Sequence, residues 1–128
     1  MHEYSTQAKV LAHESFRQLL DSGVSPGGAR IVILSAQYAT LAIFQLETPC
    51  GVVSESGALT LAPHSAVVSV LLGGLAAYAH VQDSDGVTHL TMPCTEGADP
   101  MPGAAVLDSQ ELLTGADVQL VAAVIGGY

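Results

Sequence analysis

Residues 66–82, AVVSVLLGGLAAYAHVQ, run into Asp83-Ser84-Asp85-Gly86 and then VTHLTMP. This order constrains the fold more than any other stretch. Two apolar, alternating runs meet at Asp85-Gly86, and a two-residue type I′ turn needs positive φ at both central positions, which Asp followed by Gly tolerates best. The stretch is predicted as strand, break at Gly73-Gly74, strand, tight turn, strand. With Asp85 and Gly86 at the tip, the cross-strand partners are Ser84 with Val87, Asp83 with Thr88, Gln82 with His89, Val81 with Leu90 and His80 with Thr91. One face then carries His80, Gln82, His89 and Thr91. The other carries Ala79, Val81, Leu90 and Met92, the half-buried alternation of an antiparallel pair lying on a core.

The chain from Ala29 onward repeats this pattern. Strands are predicted at 30–34, 40–46, 58–61, 66–72, 75–83, 87–92, 104–107 and 118–125, separated by Pro, Gly and Ser clusters. Short strands at such spacing predict a mainly β fold, an antiparallel β-sandwich or jelly-roll-like barrel. Before it, Ala8, Leu11, Ala12, Phe16, Leu19 and Leu20 recur at helical spacing and predict an amphipathic N-terminal α-helix over 5–21, stopped by the turn-rich residues 21–28. The organisation expected is a helical arm and turn at 1–28 and a β domain at 29–128. The arm can pack on its own domain or reach a neighbouring subunit. The segment EGADPMPG at 96–103 is predicted as an exposed loop.

Charge narrows the classes of partner. Twelve acidic residues face three basic ones, a net charge of −9, and the bases Lys9, Arg17 and Arg30 all lie in the first quarter of the chain. Nucleic-acid affinity rests on Lys and Arg displacing counterions, so DNA and RNA are expected to be repelled, and anionic membranes likewise. Charged residues make up only 12% of the chain against an apolar 49%. A surface so poor in charge is expected to hide part of itself, which predicts a homo-oligomer, a larger assembly or both, with a trimer favoured over a dimer. The candidate contact residues are Phe16 and Leu19 on the arm, Val68, Val70 and Leu72, Pro100, Met101 and Pro102 in the loop, and Val118 and Leu120 on the last strand. That last strand, VQLVAAVI, reads either as a contact edge or as a strand buried within one subunit. The N-terminus lacks the basic-then-apolar layout of a signal peptide, and a soluble protein made in a cytoplasm is expected.

The chemistry-bearing residues form no recognisable motif. His80 and His89 share a predicted hairpin face, but two imidazoles fall short of a zinc ligand set. Asp83-Ser84-Asp85-Gly86 opens like a calcium loop, yet Cys94 stands where the closing carboxylate belongs. No Gly-x-Ser-x-Gly elbow occurs, and no Lys follows Gly73-Gly74 to make a phosphate loop. Cys50 and Cys94, each beside a proline, read as buried thiols. No catalytic residue, metal or cofactor is expected, and a small enzyme is the least favoured class.

Leu75-Ala-Ala-Tyr78, His80-Val-Gln-Asp-Ser-Asp-Gly86-Val87, Gly97-Ala-Asp99, Val106-Leu-Asp-Ser109 and Leu112-Leu-Thr-Gly115 before a closing strand resemble small structural proteins of tailed-bacteriophage virions, over roughly residues 8–125. The Pro-rich loop and the scarcity of bases depart from the pattern. The resemblance implies a capsid decoration, or cement, protein on the shell exterior, made in the host bacterial cytoplasm, with the major capsid protein as partner. A tail or head-to-tail connector protein is the alternative.

Overall fold

The structure is a computed structural model describing residues 28–53, 58–100 and 103–125. The helix expected over 5–21, with Phe16 and Leu19, lies outside the described residues, as do Met101 and Pro102. The strands are β1 (Arg30–Ser35), β2 (Thr40–Val53), β3 (Leu59–Pro63), β4 (Val67–Ser69), β5 (Gly74–Gln82), β6 (Thr88–Glu96), β7 (Ala105–Leu107), β8 (Glu111–Leu112) and β9 (Asp117–Ile125). Seven of them close a barrel in the order β1-β2-β3-β9-β7-β6-β5, with β5 returning to pair with β1. The short β4 and β8 extend the barrel at one end, pairing with the starts of β9 and β5.

A ring whose neighbours are all antiparallel must hold an even number of strands, because direction alternates around it. Seven strands therefore force a parallel step. It falls at β6–β7, where Cys94 pairs with Ala105, Thr95 with Val106 and Glu96 with Leu107. Adjacent parallel strands require the chain to travel back before it sets out again. Residues 97–104 make that return, and Gly103, at φ 87°, donates its N–H to the Val124 carbonyl at 2.7 Å. The Pro-rich segment is thus the connection that the odd strand number demands. The mainly β reading and the barrel are found, whereas two facing sheets and antiparallel pairing throughout are not.

Period-two alternation fills the interior. Ile31 and Ile33, Ala42 and Phe44, Leu59 and Leu61, Ala79 and Val81, Met92 and Cys94, and Ala105 and Leu107 all point inward. Alanines recur among them because a narrow ring has little room for large side chains at every level. Val118 and Leu120 belong to this core, 1% and 3% exposed, because β9 has ladder neighbours on both edges. The segment 66–72 is a strand only at 67–69. Beyond it the chain bends so that Val70 enters the core, while the N–H groups of Leu71 and Leu72 both donate to the Leu41 carbonyl. Val70, Val118 and Leu120 therefore contact this chain's own interior rather than a partner, and Val68 is half-buried against the same core.

Gly51 marks the closest backbone approach. Its ladder with β3 shifts register between Leu46 and Gly51, and a Cβ at Gly51 would stand 2.3 Å from the Thr60 carbonyl oxygen. Gly51→Ala is expected to destabilise the protein by about 1–3 kcal/mol through overpacking, and Phe44→Ala by about 3–5 kcal/mol through the cavity it leaves. Urea unfolding measures both, and a Gly51→Ala variant as stable as the parent would contradict the close approach.

Candidate interaction surface

Two hairpin turns, at opposite ends of the barrel, are built alike. At 83–87, Asp83 donates its N–H to Val87 O, Gly86 donates to Asp83 O, and Asp83 Oδ1 accepts from the N–H groups of Asp85 (2.9 Å) and Val87 (3.1 Å). At 35–39, Ser35 donates to Ala39 O, Tyr38 donates to Ser35 O, and Ser35 Oγ accepts from Gln37 (3.3 Å) and Ala39 (3.2 Å). Each turn places its fourth residue in the left-handed region. In one it is Gly86, at φ 84°; in the other it is Tyr38, at φ 63°. Glycine adopts that conformation freely, whereas a bulky residue is strained by about 1–2 kcal/mol.

The 83–87 turn corrects the predicted register. Only Gly86, not Asp85, has positive φ, so the turn is one residue longer than a type I′ pair. His80–Thr91 and Val81–Leu90 stand as expected, but Gln82 pairs with Thr88, leaving His89 as the extra residue of a bulge. From there His89 Nε2 reaches Asp83 Oδ2 at 2.8 Å. An ionised carboxylate only accepts, so the imidazole nitrogen carries the proton of this bond. The bond from His89, joined by the N–H groups of Val87 and Asp85, holds the Asp83 carboxyl below its ordinary value of 3.8 against the opposing effect of burial. His80 is engaged elsewhere, its ring 6.0 Å from that of Tyr38. No group of three or more His, Cys, Asp or Glu placed to hold a metal occurs among the described residues.

At the end of the barrel opposite this hairpin, the chain presents apolar side chains instead. Tyr38, stacked on Tyr78 at 5.3 Å, is 60% exposed, and Leu71, Leu72, Leu75 and Leu113 are 50–73% exposed. They come together because β4–β5, β8–β9 and the β1–β2 turn all close there: Gly74 pairs with Leu112, Gly73 N–H donates to Thr114 Oγ1, and Leu71 and Leu72 hang from Leu41 O. At this end Leu72 and Leu75 help wall an open cleft of ≈ 440 Å³, together with Ser35, Ala39, Leu41 and Gly74. Its walls offer apolar contact and no titratable side chain. On the adjoining β6–β9 side stand Glu96, Asp108, Glu111 and Asp117, all exposed.

Of the residues singled out in the sequence, Leu72 lies in this surface, and Pro100 is exposed between β6 and β7. Tyr38, Leu71, Leu75 and Leu113 were missed. Exposed apolar residues next to turns look the same in sequence as core residues at strand ends, and a left-handed tyrosine has no local signature. Cys50 and Cys94 are buried, and desolvation pushes the Cys94 thiol up to about 12. No helix long and apolar enough to cross a membrane occurs among the described residues. No family model, curated protein or solved structure matches the chain.

Because Asp83 has a depressed pKa in the folded state, its contribution to stability is complete above its unfolded value, near 4, and is lost as pH falls through the lower folded value. Asp83→Asn is therefore expected to be less stable than the parent at pH 7, with the gap narrowing below pH about 4. Urea midpoints of the two proteins across pH 2–7 measure it, and a gap that does not change with pH would contradict the role given to the carboxylate. Cys94 is expected to resist alkylation at neutral pH until the protein unfolds, as read by mass spectrometry.

Proposed function

We propose that this protein is a non-catalytic structural subunit that binds another protein surface through the apolar end of its barrel, as a decoration protein on the outside of a bacteriophage capsid. The observation that carries the reading is Tyr38. The same turn is built at 83–87 with glycine in the left-handed position, yet at 35–39 a tyrosine is held there, and its ring, stacked on Tyr78, is left 60% exposed at the barrel end that also exposes Leu71, Leu72, Leu75 and Leu113. Backbone strain of this kind persists where the side chain it positions has a use. A contiguous apolar patch on an otherwise folded barrel marks a contact site.

The flanking acids define the partner's chemistry. Glu96, Asp108, Glu111 and Asp117 on one side of the patch favour an apolar contact bordered by Lys or Arg, and they oppose two copies of this chain meeting end to end. The virion setting rests on the resemblance of the turn and strand motifs, and the charge of −9 suits an exterior position better than one against packaged DNA. Each copy would bind by burying modest apolar area, and many copies on a repeating lattice would add up to a stabilised shell.

Co-sedimentation with emptied capsid shells of the encoding virus tests the reading. The parent chain is expected to bind at a fixed stoichiometry that weakens with salt. Leu72→Asp and Leu113→Asp are each expected to weaken binding about tenfold or more, given roughly 1.5–3 kcal/mol per buried large apolar side chain, while leaving the urea midpoint nearly unchanged. Tyr38→Gly is expected to weaken binding similarly while removing the backbone strain. Shell binding unaffected by all three substitutions, or no binding by the parent, would overturn the proposal.

A further inference from the structure

At the apolar end, β5 runs past the strand beside it. The last pairing of β1 with β5 is Ser35 with Ala76, so Gly74 and Leu75 extend beyond β1 while β8 lies along their other edge. Ala76 turns both of its backbone groups toward Gln110: its N–H donates to the Gln110 carbonyl at 2.8 Å, and its carbonyl accepts from Gln110 Nε2 at 3.0 Å. Backbone direction alternates along a strand, so the Leu75 N–H points the opposite way, toward the cleft that Leu75 lines. It donates to no acceptor among the described residues. The walls of the cleft are apolar, but an acid stands at its rim. Leu75 and Glu111 are cross-strand partners that do not hydrogen-bond each other, the arrangement in which side chains on the outward face come closest. Glu96 accepts from the Gln110 N–H and Asp108 from the Gln119 N–H, which ties those two carboxylates to local turns. No such bond engages the Glu111 carboxylate among the described residues, and Glu111 is exposed.

We infer that the cleft takes one extended segment of a partner protein, added as a short strand beside Leu75. In this mode a carbonyl of the segment accepts from the Leu75 N–H, an aliphatic side chain enters between Leu41 and Leu72, and a Lys or Arg meets Glu111. A helix would leave the Leu75 N–H unanswered, because its own carbonyls already accept along its length. A second copy of the barrel is a poorer occupant. Arg30, the base among the described residues, stands at the opposite end, where its Nε donates to Gln82 Oε1 at 3.2 Å. The inference rests on the apolar end being a contact site, and it adds the conformation of the partner's segment and the residue types that segment carries.

Nuclear magnetic resonance of the isotope-labelled full-length chain tests it, with the capped peptide acetyl-Lys-Val-Leu-Val-Lys-amide titrated to millimolar concentration as the probe. The expected result is a downfield shift of the Leu75 amide proton, smaller changes at Leu41, Leu72 and Gly74, and none at the 83–87 hairpin. The analogue acetyl-Glu-Val-Leu-Val-Glu-amide is expected to bind several-fold more weakly. Glu111→Gln is expected to weaken the lysine peptide about two- to fivefold, the scale of one exposed ion pair, with the urea midpoint unchanged. A peptide that leaves the Leu75 amide unmoved, or that binds Glu111→Gln as well as the parent, overturns the proposal. So does a stapled helical peptide of the same composition that binds more tightly than the extended one. Capsid shells separate this failure from that of the wider reading. Shells that bind the parent and not Leu72→Asp, while the peptide moves nothing, overturn the strand slot and keep the apolar end as the contact site; a peptide that binds as expected to a chain that ignores shells supports the slot and overturns the capsid partner.

Discussion

Closure of the ring between β1 and β5 is the constraint from which the other features follow. Once Arg30–Ser35 pairs with β2 on one edge and β5 on the other, every strand of the ring has a ladder neighbour on each side. Seven strands cannot close with antiparallel neighbours alone, so β6 and β7 run parallel and a return connection must follow β6. A small ring also limits side-chain volume, which is why Ala42, Ala79, Ala105 and Ala123 share the interior with Phe44 and Leu107. The apolar content of the chain is thus partly a consequence of barrel size.

With its edges consumed, the barrel has its ends and outer faces left for recognition. The two ends use one turn design for different purposes. At 83–87 the left-handed position is glycine, and Asp83 spends its carboxylate on two backbone N–H groups and His89, which makes a self-contained polar hairpin. At 35–39 the weaker acceptor Ser35 Oγ organises the turn, and the left-handed residue is an exposed tyrosine stacked on Tyr78. Local stability is favoured at the first end. At the second, some of it is given up to hold an exposed aromatic ring against Tyr78.

The strands were largely legible because alternation, glycine and proline are local signals, and the central register His80–Thr91 stands because the bulge at His89 offsets the longer turn. The details that failed depend on tertiary context. Asp85-Gly86 is compatible with a type I′ turn, but the Asp83 side chain, capping two N–H groups, favours a longer turn with a bulge at His89. VQLVAAVI is apolar on both faces whether it is a contact edge or a central strand, and only the pairing of β9 with β3 and β7 decides that Val118 and Leu120 are core. The interaction surface was least legible of all. Its members come from the β1–β2, β4–β5 and β8–β9 connections, which only the closed ring brings together, and of them the sequence marks Leu72 alone.

Hydrogen–deuterium exchange of the full chain, with and without emptied capsid shells, is the most direct test of the claim that the apolar barrel end is the binding face. The account predicts slowed exchange confined to the segments around 36–41, 70–75 and 112–116, with the 83–87 hairpin unchanged. Protection centred on 83–87 instead, or shells that alter exchange nowhere, would contradict it.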